Sequence, residues 1–117
     1  MKFYATEREE FQTENNAHFE DTQAELICRK ISRHYKIKLR AVTFRNLKCS
    51  AGLAHIDHTI TFQHEPSLMV ICHELAHVYQ WSVNRETRHS KKLLRIMRKM
   101  LKFAKKKNYW IYQKKKE

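Results

Sequence analysis

The stretch that decides the fold is Ser67-Leu68-Met69-Val70-Ile71-Cys72-His73-Glu74-Leu75-Ala76-His77-Val78-Tyr79-Gln80-Trp81-Ser82-Val83. Leu68, Met69, Val70, Ile71, Leu75, Ala76, Val78, Tyr79 and Trp81 surround the axis of a helix instead of lining one face, which predicts a helix buried on most sides. Pro66 suits its first turn. His73, Glu74 and His77 are the polar exceptions, and polar side chains buried there without partners are costly. His73 and His77 are four residues apart, so both imidazoles project from one face. Neutral imidazole binds zinc at about 2.0–2.1 Å. Glu74 adjoins the first ligand, where its carboxylate can take a proton from an attacking water and return it to a leaving amine. This is the chemistry carried by HExxH on a helix.

Catalytic zinc commonly has three protein ligands and one open position. His89, twelve residues after His77 at the start of the next helix, is the expected third ligand, with Glu86 as its competitor; the bland reading of His89 is a surface helix cap. Gln80 and Val83 exclude the extended metzincin pattern. The expected site is therefore one Zn2+ on His73, His77 and His89, with Glu74 as catalytic acid/base. His55-Ile56-Asp57-His58 reads as a turn between strands before a second metal site. His18 and His34 carry no constellation.

Outward from the motif, Ala24, Ile27, Cys28, Ile31 and Tyr35 predict a helix over Asp21 to Tyr35, capped by Asp21 or Thr22. Lys36 to Phe44 alternates as a strand, with Val42 and Phe44 on the opposite parity. Ser50 to Ile56 and His58 to Phe62 are further strands, Gly52 marking a bulge or a close backbone approach. Ser90 to about Lys105 reads as an amphipathic helix. The predicted fold is α+β, with a small antiparallel sheet packed on the buried helix. Its edge strand, His58 to Phe62, is expected to hold an extended peptide by strand addition. The organisation expected is an arm over 1–20, a domain over 21–107 and a basic, aromatic tail over 108–117.

The chain has 117 residues and a net charge of +12, of which +11 falls between Lys91 and Glu117. Such asymmetry favours a polyanion partner, nucleic acid first. Tyr109, Trp110 and Tyr112 either stack on unpaired bases or pack against the core. Three scattered cysteines argue against a disulfide scaffold and a zinc ribbon. Cys28 and Cys72, in apolar runs, read as buried thiols in a reducing compartment. No secretory leader or membrane span is visible, so a cytoplasmic or DNA-associated monomer is expected.

From Asp21 to Lys102 the sequence resembles the SprT-like zinc metallopeptidases, the Spartan-related family. The resemblance rests on a helix, then Ser50-Ala51-Gly52-Leu53-Ala54 and Thr59-Ile60-Thr61-Phe62, then His73-Glu74-Leu75-Ala76-His77, then His89-Ser90-Lys91-Lys92-Leu93. It implies a zincin-like fold, His73, His77 and His89 as zinc ligands, Glu74 as acid/base, and peptide hydrolysis on DNA-associated proteins. Ser90 stands where the family usually has Gly, and Leu93 where an aromatic is common. The alternative function is a non-catalytic, zinc-containing DNA-binding protein.

Overall fold

The computed structural model describes residues 3–85 and 88–114. In chain order the elements are α1 (Phe3–Glu10), α2 (Gln12–Asn15), α3 (Asp21–His34), β1 (Ala41–Phe44), β2 (Gly52–Ala54), β3 (Thr59–Phe62), α4 (Leu68–Asn84), α5 (Lys91–Lys106) and a 3-10 turn at Tyr109–Tyr112. The architecture is α+β: five α-helices and a three-stranded mixed sheet among the described residues.

Helix α4 is the buried centre. It packs against α2, α3, α5, β2 and β3. Leu68, Ile71, Cys72, Leu75 and Ala76 are fully buried, as an all-round apolar helix requires. Its cap is Ser67, whose hydroxyl accepts from the Val70 amide at 3.1 Å and donates to Asn15 Oδ1 at 3.0 Å. Pro66 precedes that cap instead of sitting in the first turn. With no glycine at hand, Arg85 takes the left-handed conformation (φ 55°) that ends the helix, its amide bonding the Trp81 carbonyl.

The sheet departs from the expected all-antiparallel form. Its order is β1-β3-β2; β2 and β3 are antiparallel, but β1 and β3 are parallel, with Ala41 opposite Thr59 and Phe44 opposite Phe62. The tight turn at residues 55–58 makes β2 and β3 a hairpin. The longer link at residues 45–51 carries the chain across the sheet, so β1 lies on the far side of β3. Successive strands still alternate in direction, and the parallel pair follows from their order in space. Consequently β3 is the central strand, not the edge, and Ile60, Thr61 and Phe62 are all buried. The edge beside α4 is β2.

Two local expectations also change. Lys36 to Arg40 is not strand. Lys36 adopts φ 57°, and the segment is held irregularly, Arg29 donating to the Leu39 carbonyl and His58 Nδ1 bonding the Lys38 carbonyl. Strand pairing begins only at Ala41, which is why Val42 and Phe44 broke the sequence parity. Asp21 does not cap α3, which Glu20 precedes without a side-chain cap bond. The Asp21 carboxylate instead receives the Glu65 amide at 2.8 Å and bonds His64 Nδ1 at 2.6 Å.

Residues 3–20 join the same core. Phe3, Glu7 and Phe11 form one inward stripe, and Ala17 and Phe19 follow. Arg98 clasps Glu10 with two bonds, and Lys105 pairs with Glu14 at 2.7 Å. An exposed pair such as Arg98–Glu10 contributes about 0–1 kcal/mol, whereas a buried Phe contributes about 1.5–3 kcal/mol. The phenylalanines therefore hold the arm, and the ion pairs set its register on α5.

Candidate metal centre

His73 and His77 lie one helical turn apart on the face of α4 that looks toward the α4–α5 connection. His89 reaches them from just before α5, which packs against α4. His77 Nε2 is 3.2 Å from His73 Nε2 and 3.1 Å from His89 Nε2. Among the described residues these three form a group able to hold a metal ion, their ligand atoms all within 4.8 Å of one another. A tetrahedral zinc with bonds of about 2.05 Å sets its ligand nitrogens about 3.3 Å apart, so the donor spacing suits such an ion. Burial falls outward: His73 is buried, His77 half-buried and His89 exposed. Glu86 lies outside the described residues.

The surroundings set the imidazole charges. Burial, then the charges of His73 and His89, push His77 down to about 3, so it is neutral with a free lone pair at physiological pH. Burial and the His73 charge likewise lower His89. His73 differs. Burial presses it down, but its Nδ1 bonds the Glu7 carboxylate, and Glu74 adds negative charge, so its pKa ends above the ordinary histidine value. Glu7 is only 3% exposed. A carboxylate on the remote nitrogen fixes the ring with Nε2 toward His77, the role that outer partners of metal-bound histidines play.

Glu74 is 6% exposed. Burial drives its carboxyl up to about 7; Glu7 pushes the same way, while the His73 charge and the Ala54 amide bond oppose. Gly52 makes room for it. A Cβ built at Gly52 would stand 2.9 Å from Glu74 Cγ and 3.1 Å from Oε2, so the close approach read from the sequence is to the Glu74 side chain.

A cleft of about 270 Å³ runs past these groups, lined also by Gly52, Leu53 and Ala54 of β2 and by Val78 and Trp81 of α4. The bonds Gln63 N–H to Ala51 O and His55 N–H to Thr59 O flank β2. Antiparallel alternation then turns the backbone groups of Gly52 and Ala54 away from β3, and the Ala54–Glu74 bond shows that this outer edge meets the motif.

Of the remaining histidines, His55 lines the same cleft, and none joins the triad. His55 and His58 form a turn, the His58 amide bonding the His55 carbonyl at 3.0 Å. His64 serves Asp21, His18 Nδ1 bonds the Glu65 carbonyl, and His34 stacks on Phe103. Cys28 and Cys72 are buried free thiols, while Cys49 is exposed. Tyr109 is buried and Trp110 half-buried against the core, leaving Tyr112 exposed.

Sequence reasoning missed Glu7 and Tyr4. The Glu7 signal was a carboxylate midway between Phe3 and Phe11 on one helical face, where a solvated charge has no place. Tyr4 had no such signal. The chain matches no family model, no curated protein and no solved structure.

Proposed function

We propose that the chain is a zinc-dependent metalloendopeptidase of zincin-like fold. The observation that carries this reading is the convergence of three histidine ligand atoms, all within 4.8 Å of one another and with His77 Nε2 3.1–3.2 Å from the other two, with Glu74 beside them at the edge of β2. The resemblance to SprT-like peptidases over Asp21 to Lys102 supports it, since helix, small sheet, motif helix and His89 follow in that order. His73, His77 and His89 would hold the ion, which supplies Lewis-acid polarisation of a carbonyl and acidification of water.

The chain's own residues do the rest. Glu7 keeps Nδ1 of His73 engaged, so its Nε2 serves the cation. Glu74, with its carboxyl near 7, can both accept the proton of an attacking water and release it to the leaving amine at neutral pH. The Ala54 amide and the glycine gap at Gly52 hold that carboxylate at the strand edge. The outward backbone groups of β2 can align an extended peptide by strand addition, placing its scissile bond over Glu74. Val78 and Trp81 add apolar lining to the same cleft.

The substrate class proposed is protein associated with nucleic acid. Helix α5 buries Leu93, Leu94, Met97, Met100, Leu101 and Ala104 and exposes Lys91, Lys92, Arg95, Lys99 and Lys102. Lys91, Lys92 and Arg95 lie beside His89 in one surface depression, so phosphate contacts there would bring nucleic acid to the cleft. Such contacts are sequence-independent and salt-sensitive. Part of the basic charge is already committed, Arg98 to Glu10, Lys105 to Glu14 and Lys114 to Glu65. No helix among the described residues is long and apolar enough to cross a membrane.

The test compares wild type with Glu74→Gln for zinc content and for cleavage of a DNA-bound protein, with and without single-stranded DNA. Equal zinc with cleavage lost in the variant is expected. A zinc-loaded wild type that cleaves nothing would favour the non-catalytic DNA-binding alternative. His89→Ala with full zinc occupancy would remove His89 from the ligand set.

A further inference from the structure

Two cavities adjoin at Glu74. The cleft that carries the three histidines is lined also by Leu53, Ile56, Val78 and Trp81. A second cavity, of about 490 Å³, is lined by Arg8, Asn15, Cys49, Ala51 and Met69. Tyr4, Ser50, Gly52, His73 and Glu74 line both.

β2 leads from one cavity to the other. Cys49 and Ala51, just before β2, line only the second, and Leu53 to Ile56 line only the first. A peptide added to the outer edge of β2 therefore crosses between them as it passes Glu74. Antiparallel pairing is slightly more stable per residue than parallel, and a peptide paired that way runs against β2. Its N-terminal half then lies beside Leu53 to Ile56, and its C-terminal half beside Ala51 and Cys49.

The two cavities differ in chemistry. The first has no lysine or arginine in its lining, and Leu53 and Ile56 are exposed apolar side chains. The second has one, Arg8. Arg8 follows Tyr4 by four residues, so both side chains leave the same face of α1. It is exposed, and among the described residues no carboxylate pairs with it. The two acids that line its cavity have other partners, Glu7 on His73 Nδ1 and Glu74 on the Ala54 amide. The guanidinium fork of Arg8 is therefore available, and such a fork fits a carboxylate bidentately. Asn15 adds a donor, since Ser67 occupies its oxygen and leaves its amide group over. A lone cation with two acids beside it suits one carboxylate better than a run of phosphates.

We propose that Arg8 determines specificity, selecting protein substrates with Asp or Glu shortly C-terminal to the cleaved bond. This preference rests on the metallopeptidase reading and names the substrate side chain that its cleft accepts.

The test digests a proteome-derived peptide library with zinc-loaded wild type, Arg8→Gln, Arg8→Glu and, as a control on α3, Arg33→Glu, and maps the cleaved bonds by mass spectrometry. An exposed ion pair supports an enrichment of Asp and Glu over Lys and Arg of about threefold to fivefold after the cleaved bond, expected in wild type and Arg33→Glu. Arg8→Gln should abolish that enrichment and Arg8→Glu should reverse it, with equal zinc in all four. In Glu74→Gln, anisotropy should show a labelled peptide with Asp there binding about threefold to fivefold more tightly than its Lys counterpart. An unchanged profile in Arg8→Glu with cleavage intact would overturn the proposal and leave the peptidase standing. So would an Arg8-dependent enrichment before the cleaved bond, or a loss of single-stranded DNA affinity in Arg8→Glu with no change of profile. A zinc-loaded wild type that cleaves no peptide overturns the metallopeptidase reading itself, and this preference with it.

Discussion

Replacing Glu74 by Gln should stabilise the metal-free protein at alkaline pH, although it removes the proposed catalytic group. The carboxyl moves from an ordinary 4.5 to about 7 on folding, chiefly because burial disfavours the charge. One pH unit corresponds to about 1.4 kcal/mol, so the ionised side chain costs the fold at most about 3.5 kcal/mol. The sign follows from linkage: a carboxyl with a raised folded pKa costs nothing below about 4.5, where it is protonated in both states. The cost grows between 4.5 and 7 and is complete above 7. Gln keeps the length and an oxygen to accept the Ala54 amide but carries no charge. With a urea dependence of about 1–3 kcal/mol per molar, the unfolding midpoint of chelator-treated Glu74→Gln should exceed that of wild type by up to about 1–3.5 M at pH 8 and match it at pH 4. A bound dication favours the ionised carboxylate, so the difference should shrink when zinc is restored. An equal or lower midpoint for the variant at pH 8 would refute the claim that burial strains this carboxyl.

Glu7→Gln should weaken zinc binding about 10- to 100-fold, the usual cost of losing an outer carboxylate partner, measured by competition with a chromogenic chelator; unchanged affinity would show that Glu7 does not orient His73. Gly52→Ala places a Cβ 2.9 Å from Glu74 Cγ and should reduce peptide cleavage while zinc content stays at wild-type level; an unaltered rate would mean that the Glu74 position is not critical. Changing Lys91, Lys92 and Arg95 together to Glu should lower the salt dependence of single-stranded DNA binding by about 2 in log–log slope, at about 0.7 per phosphate contact, as read by fluorescence anisotropy, and an unchanged slope would move the nucleic-acid surface elsewhere. The metal-free protein should also lose stability on acidification from about pH 6.5, because His77 is held neutral with a folded pKa of about 3. Its contribution is present above the unfolded pKa and lost as pH falls, and acid titration followed by circular dichroism, with His77→Phe as reference, measures it.

What the residues alone determined was local or periodic. The apolar circumference of Leu68 to Trp81 predicts burial whatever surrounds it, and a four-residue histidine spacing places two rings on one face of any helix. The third histidine was legible because a reversal between two helices must return the chain near its exit. The strand segments were legible as well, though Lys36 to Arg40 was overread, since alternation says nothing about which backbone groups find partners.

Only the tertiary structure decided relations between distant segments. Strand order is one: a hairpin specifies β2 against β3, but no local preference places β1 beyond β3, so the accessible edge passed from β3 to β2. The N-terminal arm is another. Glu7 meets His73 across 66 positions of sequence and Tyr4 meets His89 across 85, and nothing short-range in either segment refers to the other. These contacts arise because Phe3 and Phe11 must be buried somewhere, and the face beside α4 accepts them. Helix period and histidine spacing reside in neighbouring residues; orientation of the histidines and the burial of Glu74 depend on which surfaces the hydrophobic core brings together.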